Sequence, residues 1–157
     1  MLFIATWMLA WAAAAQQVSP DDFRELQGDW SGQLTYLDYT SGKDETIVAR
    51  LSASVKNQQF ELAFSYPIEP GRGGKDLYTI RDQGRMINDL KVLERSVNPG
   101  GLIRIVLEQK GTDGNDFKPA TFHHILEIGK NKFTLTKMVR YEGDKNFFRR
   151  NTYTFSR

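Results

Sequence analysis

The sequence predicts an all-β chain, an up-and-down antiparallel β-barrel of about eight to nine strands with a short N-terminal helical turn. Three observations lead there. From Gly28 onward apolar and polar residues alternate with period two, as half-buried strands require. Short turn sequences interrupt that alternation at regular intervals, and no stretch beyond Gly28 sustains a helical apolar period. Connections this short cannot carry parallel crossovers, so successive strands pair antiparallel, and a long meander leaves exposed edges unless it closes. A barrel of about eight strands has room for one small ligand. An open β-sandwich is the alternative architecture.

The elements follow in order. Ser19 fits an N-cap and Pro20 a first helical position, while Asp21 and Asp22 suit the positive end of a short helix that stops at Gly28. Strands are expected at 30–40, 46–55, 59–66, 76–81, 86–94, 102–110, 119–128, 132–142 and 146–156. The turns between them are Ser41-Gly42, Lys56-Asn57, Pro70-Gly71-Arg72-Gly73-Gly74, Asp82-Gln83-Gly84, Pro99-Gly100-Gly101, Asp113-Gly114-Asn115, Lys130-Asn131 and Gly143-Asp144.

Residues 1–15, MLFIATWMLAWAAAA, are uncharged and end in small residues. They read as a secretory signal peptide cleaved after Ala15, although no Lys or Arg precedes the apolar run. An uncleaved anchor is the competing reading, but the run stops short of the roughly 20 residues that span a bilayer. Export to a periplasm or the cell exterior is therefore expected, with residues 16–157 forming one barrel domain and no stable membrane insertion after cleavage. Cysteine is absent, which excludes disulfides, thiol nucleophiles and a lipid anchor on cysteine. The formal charge of +2 is small and its signs are interleaved, so nothing points to nucleic acid.

Period two also assigns faces, because a one-residue slip inverts every side chain. Trp30, Leu34, Tyr36 and Asp38 share one face of the first strand, opposite Ser31, Gln33 and Thr35. Ile47, Ala49, Leu51, Ala53 and Val55 share the apolar face of the second. Polar residues among the apolar alternates are the binding candidates. Asn88 alternates with Met86 and Leu90, His124 with Phe122 and Leu126, and Lys137 with Leu135 and Val139. Arg149 and Asn151 alternate with Phe147, Tyr153 and Phe155; on this register Arg150 points outward and replaces Arg149 if the register slips. Buried polar groups need partners. Tyr36, Asp38, Asn88, His124, Lys137, Arg149 and Tyr153 thus form either a self-satisfied network or a ligand site. For each there is a structural role too: Lys137 snorkelling to water, His124 satisfied in the core, the tyrosines as barrel wall.

Catalytic signatures are missing. There is no Gly-x-Ser-x-Gly elbow, and no Gly-Lys pair is followed by the Ser or Thr of a phosphate loop. His123 and His124 point to opposite faces of a strand and cannot share a metal. No cofactor is expected, and nothing marks the chain as an enzyme.

Gly28-Asp29-Trp30 at the start of the first strand, with Arg149-Arg150 in the last, resembles the closure of the calycin/lipocalin-like β-barrel family. The resemblance implies that Gly28, Trp30 and Arg149 close one end, the arginine stacked on the tryptophan. Avidins share a similar opening, but where they place an asparagine this chain has Gly32, and their tryptophan-rich walls are absent. Fatty-acid-binding proteins insert a helical lid for which Ser41-Gly42-Lys43-Asp44 leaves no space. Gly28-x-Trp30-x-Gly32 is also similar to the opening of haem-binding nitrobindin barrels, for which His124 would be the inward iron ligand; that family's further glycines are replaced by Gln33, Leu34 and Thr35. The expected function is an exported carrier or sensor of a small amphipathic molecule. With Lys137 and Arg149 inward, and His124 a further possible charge, against Asp38, that ligand is expected to be anionic and amines to bind poorly. A ligand-free envelope interaction module is the alternative, followed by a haem barrel or a barrel enzyme.

Overall fold

The computed structural model describes residues 16–157, so the expected leader at 1–15 lies outside the described residues. Ten strands form: β1 Gly28–Leu37, β2 Asp44–Lys56, β3 Gln59–Ser65, β4 Gly74–Arg81, β5 Met86–Ile87, β6 Leu90–Val97, β7 Ile103–Asp113, β8 Lys118–Ile128, β9 Lys132–Tyr141 and β10 Phe148–Ser156. Each pairs antiparallel with the next, and β10 returns to pair with β1, so the sheet is a closed barrel without free edges.

The count exceeds the expected eight to nine because the single strand expected at 86–94 is two. Asn88 takes a left-handed φ of 50°, which asparagine tolerates. Its side chain accepts from the Thr79 N–H at 2.8 Å and donates to the Leu77 carbonyl at 2.9 Å. Bonded in this way to the edge of β4, Asn88 reverses the chain after only two residues of β5. The apolar alternates around it gave no warning of a turn.

One end of the barrel is sealed by a 3-10 helix, Pro20–Leu26. Phe23 and Leu26 are fully buried, and Phe23 stacks on Phe60 at 4.3 Å between ring centroids. Asp22, 3% exposed, accepts from the Ser19 N–H at 2.8 Å and from Arg95 Nε at 2.9 Å, which ties the plug to β6. Trp30 is buried beneath the plug and donates its indole N–H to the Leu26 carbonyl at 2.8 Å.

Here the structure corrects the expected closure. The cation over Trp30 is Arg157, its guanidinium 4.1 Å from the ring, and not Arg149. Arg157 also donates to the carbonyls of Gln27, Glu25 and Lys130 at 2.6, 2.9 and 3.0 Å. Gly28 fits this corner with φ of 114°, and a Cβ there would meet the Arg157 guanidinium at 3.5 Å. Gly32 is needed for a different reason: a Cβ would lie 1.9 Å from the Thr154 carbonyl oxygen, where β1 meets β10.

Arg149 stands at the other end of the barrel because β10 runs away from Trp30 toward its own start. A bulge between Arg149 and Asn151 shifts the register there. It leaves Asn151, Tyr153 and Phe155 on the expected face, turns Arg149 outward to pair with Asp44, and brings Arg150 into the barrel, 6% exposed.

The main core lies in the sealed half, around Trp30, Leu51, Phe60, Leu62, Phe133 and Phe155. The opposite half has a smaller cluster of Ala120, Phe122 and Val139. Packing is therefore asymmetric along the barrel axis, and the open space collects at the mouth.

Candidate functional site

Two hollows open at the mouth. The first, about 460 Å³, is lined by Leu34, Tyr36, Tyr39, Lys137, Arg150 and Asn151, with Leu37 and Asp38 at its rim. The second, about 420 Å³, lies against β3, β4 and β6 to β9 and is walled by Leu62, Leu90, Leu107, Leu126 and Leu135. One tier of directly opposed residues connects them: Leu107, His124, Lys137, Asn151 and Tyr36 face each other in turn across β7, β8, β9, β10 and β1. Residues opposed in this way share a face of the sheet.

Charge in the first hollow is organised by Asp113 at the end of β7. Its carboxylate pairs with Arg150, accepts from the Tyr39 and Tyr141 hydroxyls at 3.1 Å each, and lies 3.9 Å from Lys137 Nζ. Arg150 lies between two rings, 3.9 Å from Tyr39 and 4.8 Å from Phe148, and its Nε is buried without a hydrogen-bond partner. Lys137 sits 4.3 Å from the centre of the Phe122 ring. Two inward cations thus share one buried carboxylate. Burial raises the Asp113 carboxyl, but the hydrogen bond and charge of Arg150 with the two tyrosine hydroxyls outweigh it and hold it below the usual value. Burial lowers the Lys137 ammonium, Asp113 pulls it back up, and Arg150 lowers it further; the net effect is downward.

Of the residues singled out from sequence, Tyr36, His124 and Lys137 share the connecting tier. Tyr153 lies one step deeper, opposite Leu34 and Leu135; its hydroxyl bonds that of Tyr66 at 2.6 Å and its ring packs on Phe64. Asp38 is a turn residue: its carboxylate accepts the N–H groups of Thr40 and Ser41 at 3.0 and 2.6 Å, which holds its pKa below the ordinary value. Asn88 borders the second hollow, but its amide is committed to β4. Arg149 is outside the lumen. Asp113 and Arg157 are not among the residues the sequence singles out, and the inward arginine is Arg150, the alternative to Arg149 if the register slips. Asp113 was counted as turn chemistry, and identical neighbours hide which arginine a bulge turns inward.

His124 lines the second hollow, and its Nε2 is buried with no partner. Burial, then the charge of Lys137 and then His123, push its pKa down to about 4, so it is neutral at physiological pH and adds no charge to the lumen. A histidine of depressed pKa favours the fold above the unfolded value near 6.5, and that stability is lost as pH falls toward the folded value. Unfolding free energy should therefore drop by about 2–3 kcal/mol between about pH 7 and pH 4.5, and His124→Gln should flatten that slope in urea titrations.

Among the described residues no group of three or more His, Cys, Asp or Glu side chains is placed to hold a metal ion, and no helix is long and apolar enough to cross a membrane. No protein-family model matches the chain, and neither does any curated protein. Among solved structures it is similar to the crystal structure of Rv2717c from M. tuberculosis, with a TM-score of 0.50 at 10% sequence identity, over 87% of this chain and 95% of that one. At that identity the similarity concerns the fold alone.

Proposed function

We propose that this protein is an exported, lipocalin-like carrier or sensor that takes a small amphipathic anion into the mouth of its barrel. The observation that carries the reading is the Lys137 ammonium inside the first hollow: the nearest carboxylate, Asp113, is already engaged by Arg150, and Asp38 at the rim is engaged by the N–H groups of Thr40 and Ser41. A carboxylate entering there meets the Lys137 ammonium, with the field of Arg150 behind it, while Leu34, Leu37, Tyr36 and Tyr39 offer apolar surface to its body. Hollows of this size lie within the range of small-molecule pockets, whereas a ligand-free interaction module has no use for them. Export rests on the apolar leader that precedes the barrel sequence.

Isothermal titration calorimetry with octanoate, and with octanol as the uncharged control, tests the reading. Octanoate should bind more tightly than octanol, and Lys137→Met should weaken it by about tenfold, the scale of one charge-assisted hydrogen bond. Because the lysine pKa is lowered, octanoate affinity should also begin to fall with rising pH before the ordinary lysine range near 10.4 is reached. Equal affinity for octanoate and octanol, or no effect of Lys137→Met, would remove the case for an anionic ligand.

A further inference from the structure

The second hollow carries the opposite charge. Lys75 at its rim is paired with Glu61 at 3.1 Å, and Asp89 with Arg81 at 3.2 Å. The remaining carboxylate, Asp76, has no ion-pair partner among the described residues. Its register turns it to the lumen: it stands directly opposite Leu62, which is wholly buried in the core. Tyr78 shares its face two residues along the strand, opposite Phe60, on whose ring it stacks at 4.7 Å. Burial and then the charge of Asp76 push the Tyr78 phenol up to about 12, so it stays neutral. Beyond these two residues the wall is mostly leucine, with Gln109 exposed on the mouth side and the unpartnered Nε2 of His124 deeper in.

The geometry points to a second binding subsite, for an amphipathic primary amine whose ammonium sits at Asp76 beside Tyr78 and whose apolar body lies among the leucines. A carboxylate head would be repelled by Asp76 and gain no free cation, since Lys75 is occupied by Glu61. An ammonium pushed deeper would approach Lys137, which stands opposite His124, so its favourable position is at the mouth. A hydroxyl or carbonyl on the ligand body would find a neutral partner in His124 or Gln109. This subsite departs from the expectation that amines bind poorly in the barrel, because the inward lysine and arginine line the first hollow and not the second. This subsite does not depend on the anion reading, because no residue is shared between the two linings.

Calorimetric titration of the mature protein with octylamine near neutral pH tests the subsite. The wild type should bind octylamine, Asp76→Asn should weaken it about tenfold, and Asp76→Glu should restore it. Asp76 is exposed at the rim, so its amide variant should keep the wild-type unfolding temperature. In the same Asp76→Asn protein the octanoate isotherm should be unchanged, and in Lys137→Met the octylamine isotherm should be unchanged or stronger. Loss of both ligands on Asp76→Asn, or octylamine binding that ignores both Asp76 variants, would overturn the subsite. Absence of octylamine binding in the wild type would do the same, while leaving the octanoate result to stand or fall by itself.

Discussion

Trp30→Ala should destabilise the barrel by about 3–5 kcal/mol, the cost of truncating a large buried aromatic side chain. The expected loss is large because Trp30 joins three parts of the sealed end. Its indole N–H holds the Leu26 carbonyl at the end of the plug, one side of the ring meets Phe133 and Arg157 lies over it. Arg157→Ala should cost less, because the arginine is partly exposed and its hydrogen bonds go to carbonyls that water can reach. In a double-mutant cycle followed by urea denaturation, the Trp30 and Arg157 losses should be non-additive, since the two side chains touch. Arg149 is the contrasting case: Arg149→Ala should add independently to Trp30→Ala. Coupling of Trp30 to Arg149, and none to Arg157, would contradict the placement of Arg149 at the opposite end of the barrel from Trp30.

At the mouth, the change expected to matter most is Asp113→Asn. Among the described residues the carboxylate is the sole acidic partner of Arg150, whose side chain is only 8% exposed, and removing its charge leaves a buried guanidinium uncompensated. Breaking a buried pair from one side typically costs about 3–5 kcal/mol. The paired variant Asp113→Leu with Arg150→Met should recover most of that loss, because it removes both charges together. The pH dependence has a defined sign. The Asp113 pKa is depressed in the folded state, so the stability it contributes is present above the unfolded carboxylate value near 3.9 and disappears as pH falls through the folded value. Asp113→Asn should abolish that acid-side loss while retaining the separate one due to His124. Denaturation of both variants across this range distinguishes them.

Much of the barrel was legible because its turns are written in glycine, asparagine, aspartate and proline, and its faces in period-two alternation. Ile47 to Val55, Phe60 to Phe64 and Phe122 to Ile128 need no tertiary information to be assigned a side. The failures have particular causes. Asn88 occupies the position an inward residue would occupy, so composition cannot separate a strand residue from one that bonds the neighbouring strand and reverses the chain. The bulge at Arg149 to Asn151 adds one residue within a run of polar and aromatic side chains, where either arginine satisfies the local pattern. Arg157 lies beyond the last alternating position, and only barrel closure brings it over Trp30. Of the candidate residues, the inward placement of His124, Lys137 and Tyr36 is legible because each stands in a regular ladder. Asp113 was missed because it ends a strand longer than its turn sequence implied, and with it the neutralising partner of both inward cations.

The proposed function puts an anionic head at Lys137. A crystal structure of the protein with octanoate at saturating concentration tests this most directly. The carboxylate should lie within hydrogen-bonding distance of Lys137 Nζ, on the side of the lumen bounded by Tyr36 and Asn151, with the chain running along Leu34. A carboxylate among the leucines beside Asp76, or octanoate found only on the outer surface of the barrel, would contradict it.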